Sequence, residues 1–157
     1  MDVSIINPCV DSVITTMSMM CNLNVQVSSM IVKVPGEDSR GDISGVIGFV
    51  GSLHGLIAVT FPKCIAVQAI GAMIGEVYTE IDDDILDGTG ELTNIIAGNT
   101  KTIFKERGWD VSISLPSIMV GEGHSISIPK SIMSVVVEFK AGSQPFWLEI
   151  ALRHDKN

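Results

Sequence analysis

Apolar residues in the first half of the chain alternate between helical and strand-like spacings. Asn7 is a favoured N-cap residue and Pro8 a favoured first helical residue, so a helix is predicted to begin there. Apolar residues then recur every three or four positions as far as Cys21, which is typical of one helix face. Short apolar runs rich in β-branched residues then predict strands. The predicted order is a helix from Asn7-Pro8 to about Asn22, a strand at 25–34, a polar loop at 37–42, a hairpin at 44–50 and 55–61, and a helix at 62–74 capped by Gly75.

The second half begins with a longer predicted helix, from about Asp82 to Arg107. The acidic residues at 82–84 lie where the helix dipole favours negative charge, and Gly108 follows the expected end. Apolar runs at 111–115, 117–120, 132–139 and 146–152 predict further strands, and the run at 132–139 alternates so little that a central position is expected. The fold class is therefore α+β, a mainly antiparallel sheet with long helices packed on it, in a single domain over residues 1–157.

One face of the long predicted helix is polar. On a helical wheel its polar stripe falls within about 40° of one line, and it consists of Asp87, Glu91, Asn94, Gly98 and Lys101. A polar face is most simply a solvated face. However, Gly88, Gly90 and Gly98 each cost a helix about 1 kcal/mol relative to Ala, and a missing side chain lets another backbone approach. The glycines therefore favour a docking surface.

Charge and hydropathy narrow the possible partners. A net charge of −8 argues against binding to nucleic acids or anionic membranes, because such binding requires a basic face.

The most apolar run, residues 46–61, is only 16 residues long and contains Ser52 and His54, whereas a membrane span needs about 20. The first residues show no basic region before an apolar core, so no signal peptide is predicted. The mean hydropathy is nevertheless high, at +0.41, which would fit an apolar interface between two copies.

The sulfur-containing residues indicate a cytoplasmic protein without a metal site of its own. Cys9, Cys21 and Cys64 match neither a metal motif nor a disulfide framework, so they are predicted to be small buried hydrophobes. The cluster of Met17, Met19 and Met20 is predicted to pack in the core.

The polar stripe also carries a recognisable spacing. The pattern Asp87-x3-Glu91-x2-Asn94, with Pro116 placed 22 positions after the Asn, resembles the signature of the CheC/CheX/FliY family of chemotaxis phosphatases. The flanking text ELTNIIAGNTKT and the run GVIGFVGSLHGLIAVTFPKCIA are similar to its CheX branch. The resemblance covers about residues 5–153.

This resemblance implies dephosphorylation of a CheY-type response regulator. Asn94 would orient the attacking water, and Glu91 would pair with a lysine of the phosphorylated partner. Asp87, Gly98, Lys101 and Pro116 would support the site or contact the partner, with Asp87 at the helix start or interface rim and Pro116 shaping the following loop. No cofactor is expected on this chain, because Mg²⁺ would belong to the receiver domain.

The resemblance also implies a homodimer, joined through the sheets. A single E-x2-N face is present, since the first helix lacks a second. Two alternatives stay open at this point. One is a non-catalytic module of the same fold that binds and sequesters a receiver, and the other is a structural element of the flagellar switch.

Overall fold

The chain forms an antiparallel sheet with helices packed on it, as the hydrophobic pattern predicted. The computed structural model describes residues 1–34 and 41–155. Within that part, the helices are α1 (Val3–Cys21), α2 (Lys63–Ile74) and α3 (Asp83–Glu106). The strands are β1 (Val25–Val32), β2 (Ile43–Gly51), β3 (Leu53–Phe61), β4 (Val111–Ile113), β5 (Ser117–Val120), β6 (Val135–Ala141) and β7 (Gln144–His154).

The strand order is β1-β6-β7-β3-β2-β4, with β5 also paired to β2. The strand run expected at 132–139 becomes β6 at 135–141, an interior strand between β1 and β7 that is second from the edge of the sheet. Buried residues of β2 and β3, such as Ile47 and Ile57, form a hydrophobic core with the helices. The expected loop at 37–42 lies outside the described residues except for its last two positions.

The predicted hairpin of β2 and β3 is confirmed and carries α3. The two strands pair in continuous register from Ile43 opposite Phe61 to Phe49 opposite Gly55. Gly45 faces α3, where a β-carbon would overlap the side chain of Thr93. The absence of a side chain at Gly45 therefore lets α3 lie close to the hairpin.

The prediction that Asn7-Pro8 opens the first helix is wrong. The helix begins at Val3, and Asp2 is its N-cap, accepting a hydrogen bond from the Ser4 backbone N–H at 2.9 Å. Pro8 lies inside the helix, where its missing N–H leaves the carbonyl of Ser4 without a helical partner. The guanidinium of Arg107 donates to that carbonyl instead, so a contact with the end of α3 offsets the cost of the proline.

Burial corrects two further predictions. Cys9 and Cys21 are buried as expected, but Cys64 is exposed. Met17 is buried in the core, whereas Met19 and Met20 are exposed. Both errors have one cause, because an apolar residue type does not show whether a neighbouring element covers that position of the helix.

In the described part of the chain, α1 alone is long and apolar enough to cross a membrane by length and composition. Half of it is buried inside the fold, where it packs against α3 and α2. The buried half of α1 is therefore part of the hydrophobic core.

Candidate functional site on helix α3

Helix α3 is held firmly at both ends, which fixes the orientation of its faces. Asp82 is the N-cap and accepts a hydrogen bond from the backbone N–H of Ile85 at 3.0 Å. Asp83 and Asp84 lie in the first turn, where the helix dipole stabilises negative charge. At the other end, the backbone N–H of Trp109 bonds to the carbonyl of Phe104 at 2.9 Å. The helix bounds agree with the prediction.

The polar stripe predicted from spacing is present on the outer face. Asp87, Glu91 and Asn94 are exposed, and Gly98 and Lys101 are half-buried. The opposite side of the helix is fully buried at Ile85, Leu92 and Ile96. The structure thus presents all five stripe residues on one face.

The side chains of Glu91 and Asn94 have no hydrogen bond or ion pair to any other residue that the structure describes. Polar side chains on a helix often bond to a neighbour three or four positions away. Here the carboxylate and the amide, placed one helical turn apart, both keep their hydrogen-bonding capacity for a partner or a water molecule.

One of the three helix glycines is required by packing inside the chain. Gly88 is buried against Ile70 of α2, which a β-carbon would overlap. A β-carbon on Gly90 would lie 3.5 Å from Ile118 and 3.6 Å from Pro116. The expectation that these glycines mark a docking surface is therefore wrong for Gly88, which the contact with Ile70 explains, whereas Gly90 would tolerate a β-carbon and lines the cleft beside the helix. Gly98 has no atom within 4 Å of the β-carbon position and leaves the stripe open there.

The stripe forms one wall of a cleft. The cleft has a volume of about 410 Å³ and runs between α3 and the chain segment around β5. Its α3 wall contains the acid–amide pair, and the facing wall is formed by Leu115, Pro116 and Ile118. The four residues of the sequence pattern, Asp87, Glu91, Asn94 and Pro116, therefore line the same cleft.

Sequence reasoning missed three apolar residues of this cleft, namely Leu86, Leu115 and Ile118. Their involvement depends on how β5 is placed against α3, which no periodicity encodes. The one signal that pointed to them was the sequence position of Pro116, because its neighbours in the chain share the same wall.

The connection between α2 and α3 is braced beside the stripe. The phenol of Tyr78 donates hydrogen bonds to Asp84 at 2.8 Å and to Glu76 at 3.1 Å. These carboxylates favour the neutral phenol and so raise the pKa of Tyr78. The bracing keeps the acidic start of α3 in place.

The chemistry that this site offers is positioning rather than nucleophilic attack. An amide is both a donor and an acceptor, and a carboxylate is an acceptor that can pair with a cation. Among the described residues, no group of three or more His, Cys, Asp or Glu side chains could hold a metal ion. Ser44 and His124 are in contact at 2.6 Å, but they do not form a second partner-facing polar site, because Ser44 is fully buried.

The sheet, the helices and an exposed acid–amide pair on α3 define a CheC-like protein. A family model described as "Chemotaxis phosphatase CheX" matches residues 43–140, which include the hairpin, α3 and the cleft. The chain therefore belongs to the CheX family of chemotaxis phosphatases.

Individual relatives agree with this assignment. The chain is 29% identical over 97 residues to the CheY-P phosphatase CheX of Thermotoga maritima, covering 57% of this chain and 63% of that protein. The matched region thus spans less than two thirds of that relative's length.

Solved structures extend the likeness to almost the whole chain. The chemotaxis protein CheX of Desulfovibrio desulfuricans is 30% identical, with a TM-score of 0.85 and coverage of 96% of this chain and 99% of that one. A CheX–CheY–BeF3–Mg²⁺ complex from Borrelia burgdorferi contains a chain of the same fold, with a TM-score of 0.82, 24% identity and coverage of 95% and 97%.

Proposed function

We propose that this protein accelerates hydrolysis of the aspartyl phosphate on a CheY-type response regulator. The observation that carries the proposal is the pair Glu91 and Asn94, exposed one turn apart beside a cleft and without partners among the described residues. The name of the Thermotoga relative, CheY-P phosphatase CheX, and the family match support the same activity.

The residues suit the reaction. An aspartyl phosphate is a mixed anhydride with a good leaving group, so a strong base or a covalent nucleophile on this chain is unnecessary. Phosphoryl transfer instead depends on positioning and charge stabilisation. The amide of Asn94, which can both accept and donate a hydrogen bond, would hold the attacking water in line with the phosphorus.

Glu91 would anchor the receiver. One helical turn from Asn94, its carboxylate can pair with a lysine beside the phosphorylated aspartate and fix the register of the two proteins. Mg²⁺ would be held by the receiver's own carboxylates. Asp87, Gly98, Lys101 and Pro116 would support this contact. Asp87 and Pro116 border the cleft, whereas Gly98 and Lys101 continue the stripe.

The proposal is tested by phosphate release from a phosphorylated receiver domain with Mg²⁺. Asn94→Ala is expected to lower kcat by about 10²- to 10³-fold, the loss typical of a removed positioning group. Asn94→Asp should fail similarly, because a carboxylate at this position lacks the donor half of the amide. Glu106→Ala, an exposed acid at the end of the same helix, is the matched control for Glu91→Ala and should keep full activity.

Binding separates this function from the alternative. With a beryllofluoride-activated receiver, Asn94→Ala should bind as the wild type does, whereas Glu91→Ala should bind more weakly. Full activity in Asn94→Ala would refute the role of the amide. A wild type that binds the receiver without hydrolysis would instead be a sequestering module.

Two further properties belong to the same proposal. Two copies would associate through β1, whose last seven residues are exposed at the edge of the sheet. We further propose that the protein acts in the cytoplasm, and cell fractionation should recover it there.

A further inference from the structure

We infer that Leu115 is a specificity-determining residue, which docks an apolar side chain of the receiver into the cleft beside Glu91 and Asn94. This inference rests on the proposed function, and it adds an apolar anchor to the polar pair. It follows from the exposure of Leu115, from the rigidity of its backbone and from its position on the cleft wall.

Leu115 is an unusually exposed leucine. Its side chain is 87% exposed, and it lies in the short connection between β4 and β5. A single exposed apolar residue has no significance by itself. Leu115 differs because it lines the same cleft as Glu91 and Asn94, so a partner seated on the acid–amide pair would also cover it.

The backbone that carries Leu115 is fixed. The hydroxyl of Ser114 accepts a hydrogen bond from the backbone N–H of Gly48 at 2.9 Å and donates to the carbonyl of Leu115, also at 2.9 Å. The backbone N–H of Ser114 bonds to the carbonyl of Gly48 at 3.0 Å. Pro116 then restricts the chain on the other side. The backbone position of Leu115 is thus fixed before a partner binds, which reduces the backbone entropy lost on binding.

The surroundings of Leu115 can accommodate an apolar group. Leu86 and Ile118 line the same cleft, and both are half-buried against the core. The polar residues of the cleft are on the α3 wall. A receiver can therefore meet charge on one side, where its phosphorylated site faces Asn94, and apolar surface on the other. Different receivers share the phosphorylation chemistry, so the apolar contact is the part of the cleft that can discriminate among them.

The test compares binding with turnover for Leu115→Ala. A beryllofluoride-activated receiver domain with Mg²⁺ gives Kd, and the phosphorylated receiver gives kcat and KM. Leu115→Ala should raise Kd and KM about 10-fold, the loss expected from about 1.4 kcal/mol of buried contact, and should leave kcat unchanged. Leu115→Met, with similar volume, should restore most of the affinity.

Val77→Ala is the matched control. Val77 is 95% exposed but lies outside this cleft, so its truncation should not change Kd. Circular dichroism and Tm confirm that each variant is folded. The effect of Leu115→Ala should also differ between receivers with different apolar residues at the contact.

The outcomes are distinguishable. Unchanged Kd in Leu115→Ala overturns the inference, as does a fall in kcat at constant Kd, which would make Leu115 a positioning residue. A wild type that binds receivers but does not hydrolyse the phosphate refutes the proposed function, and the Kd comparison still decides the role of Leu115. A wild type that binds no receiver overturns both.

Discussion

The three cysteines occupy two kinds of environment, and this difference sets their reactivity. Burial raises the pKa of Cys9 to about 12 and that of Cys21 to about 11, because a thiolate is disfavoured away from water. Cys64 is exposed on α2. At pH 8 the two buried thiols therefore stay protonated, and the thiolate is the reactive form.

We expect a thiol reagent such as Ellman's reagent to modify only Cys64 rapidly in the native protein at pH 8. All three thiols should react after unfolding in guanidinium. Cys64→Ser should remove the fast reaction and leave the fold intact. Rapid modification of two or three thiols in the native wild type would show that α1 opens far more readily than its packing indicates.

The same residues show why single side chains are hard to place from sequence. The predictions that Cys9 and Met17 are buried are confirmed. The predictions that Cys64 and Met19 are buried are wrong, because both side chains are exposed. Burial at such positions is decided by the tertiary arrangement, which the spacing of apolar residues along one helix does not describe.

At the scale of the element, α3 can be made more stable at a position on its functional face. No atom lies within 4 Å of a β-carbon placed on Gly98, and Ala is favoured over Gly in a helix interior by about 1 kcal/mol. Gly98→Ala should therefore raise the free energy of unfolding by about that amount, measured by urea denaturation. If the receiver approaches closely at this open position, the same substitution should weaken receiver binding.

Gly45→Ala is the contrasting substitution. Its β-carbon would overlap Thr93, whose hydroxyl is already bonded to the carbonyl of Thr89 at 2.7 Å. Overpacking of this kind costs about 1–3 kcal/mol, so we expect Gly45→Ala to lower the urea midpoint. A midpoint equal to that of the wild type would mean that Thr93 and α3 shift without cost, and the close approach of α3 would then have no energetic importance.

Most elements could be predicted because their signals are local. The hairpin has its glycines, α2 has Pro62 and Gly75, and α3 has an acidic start. The start of α1 could not be predicted, because the proline inside it is accommodated by Arg107 from the far end of α3. The acid–amide pair was found from its spacing, whereas Leu115 and Ile118 join the site only through the placement of β5.

At the scale of the whole molecule, β1 is an exposed edge strand of the sheet. This strand pairs with β6 on one side, and in the described part of the chain no strand pairs with its other side. Lys33, just beyond β1, bonds to both carboxylate oxygens of Glu149 on β7 at 3.1 Å, which keeps this end of the sheet ordered. An ordered and exposed edge strand is a template for pairing with another chain.

The exposed apolar residues of β1 favour pairing of this strand with a second copy of the protein. Val27, Met30, Ile31 and Val32 are exposed on this strand, although natural edge strands usually carry charges that prevent association. In sedimentation experiments we expect the wild type to have twice the monomer mass of 16.8 kDa. Ile31→Lys should place a charge at the interface and give a monomer, whereas Val77→Lys, at an exposed position outside the sheet, should not.

A monomeric wild type at micromolar concentrations would refute the dimer. If Ile31→Lys is monomeric yet still hydrolyses the receiver phosphate, each copy carries a complete site on its own α3.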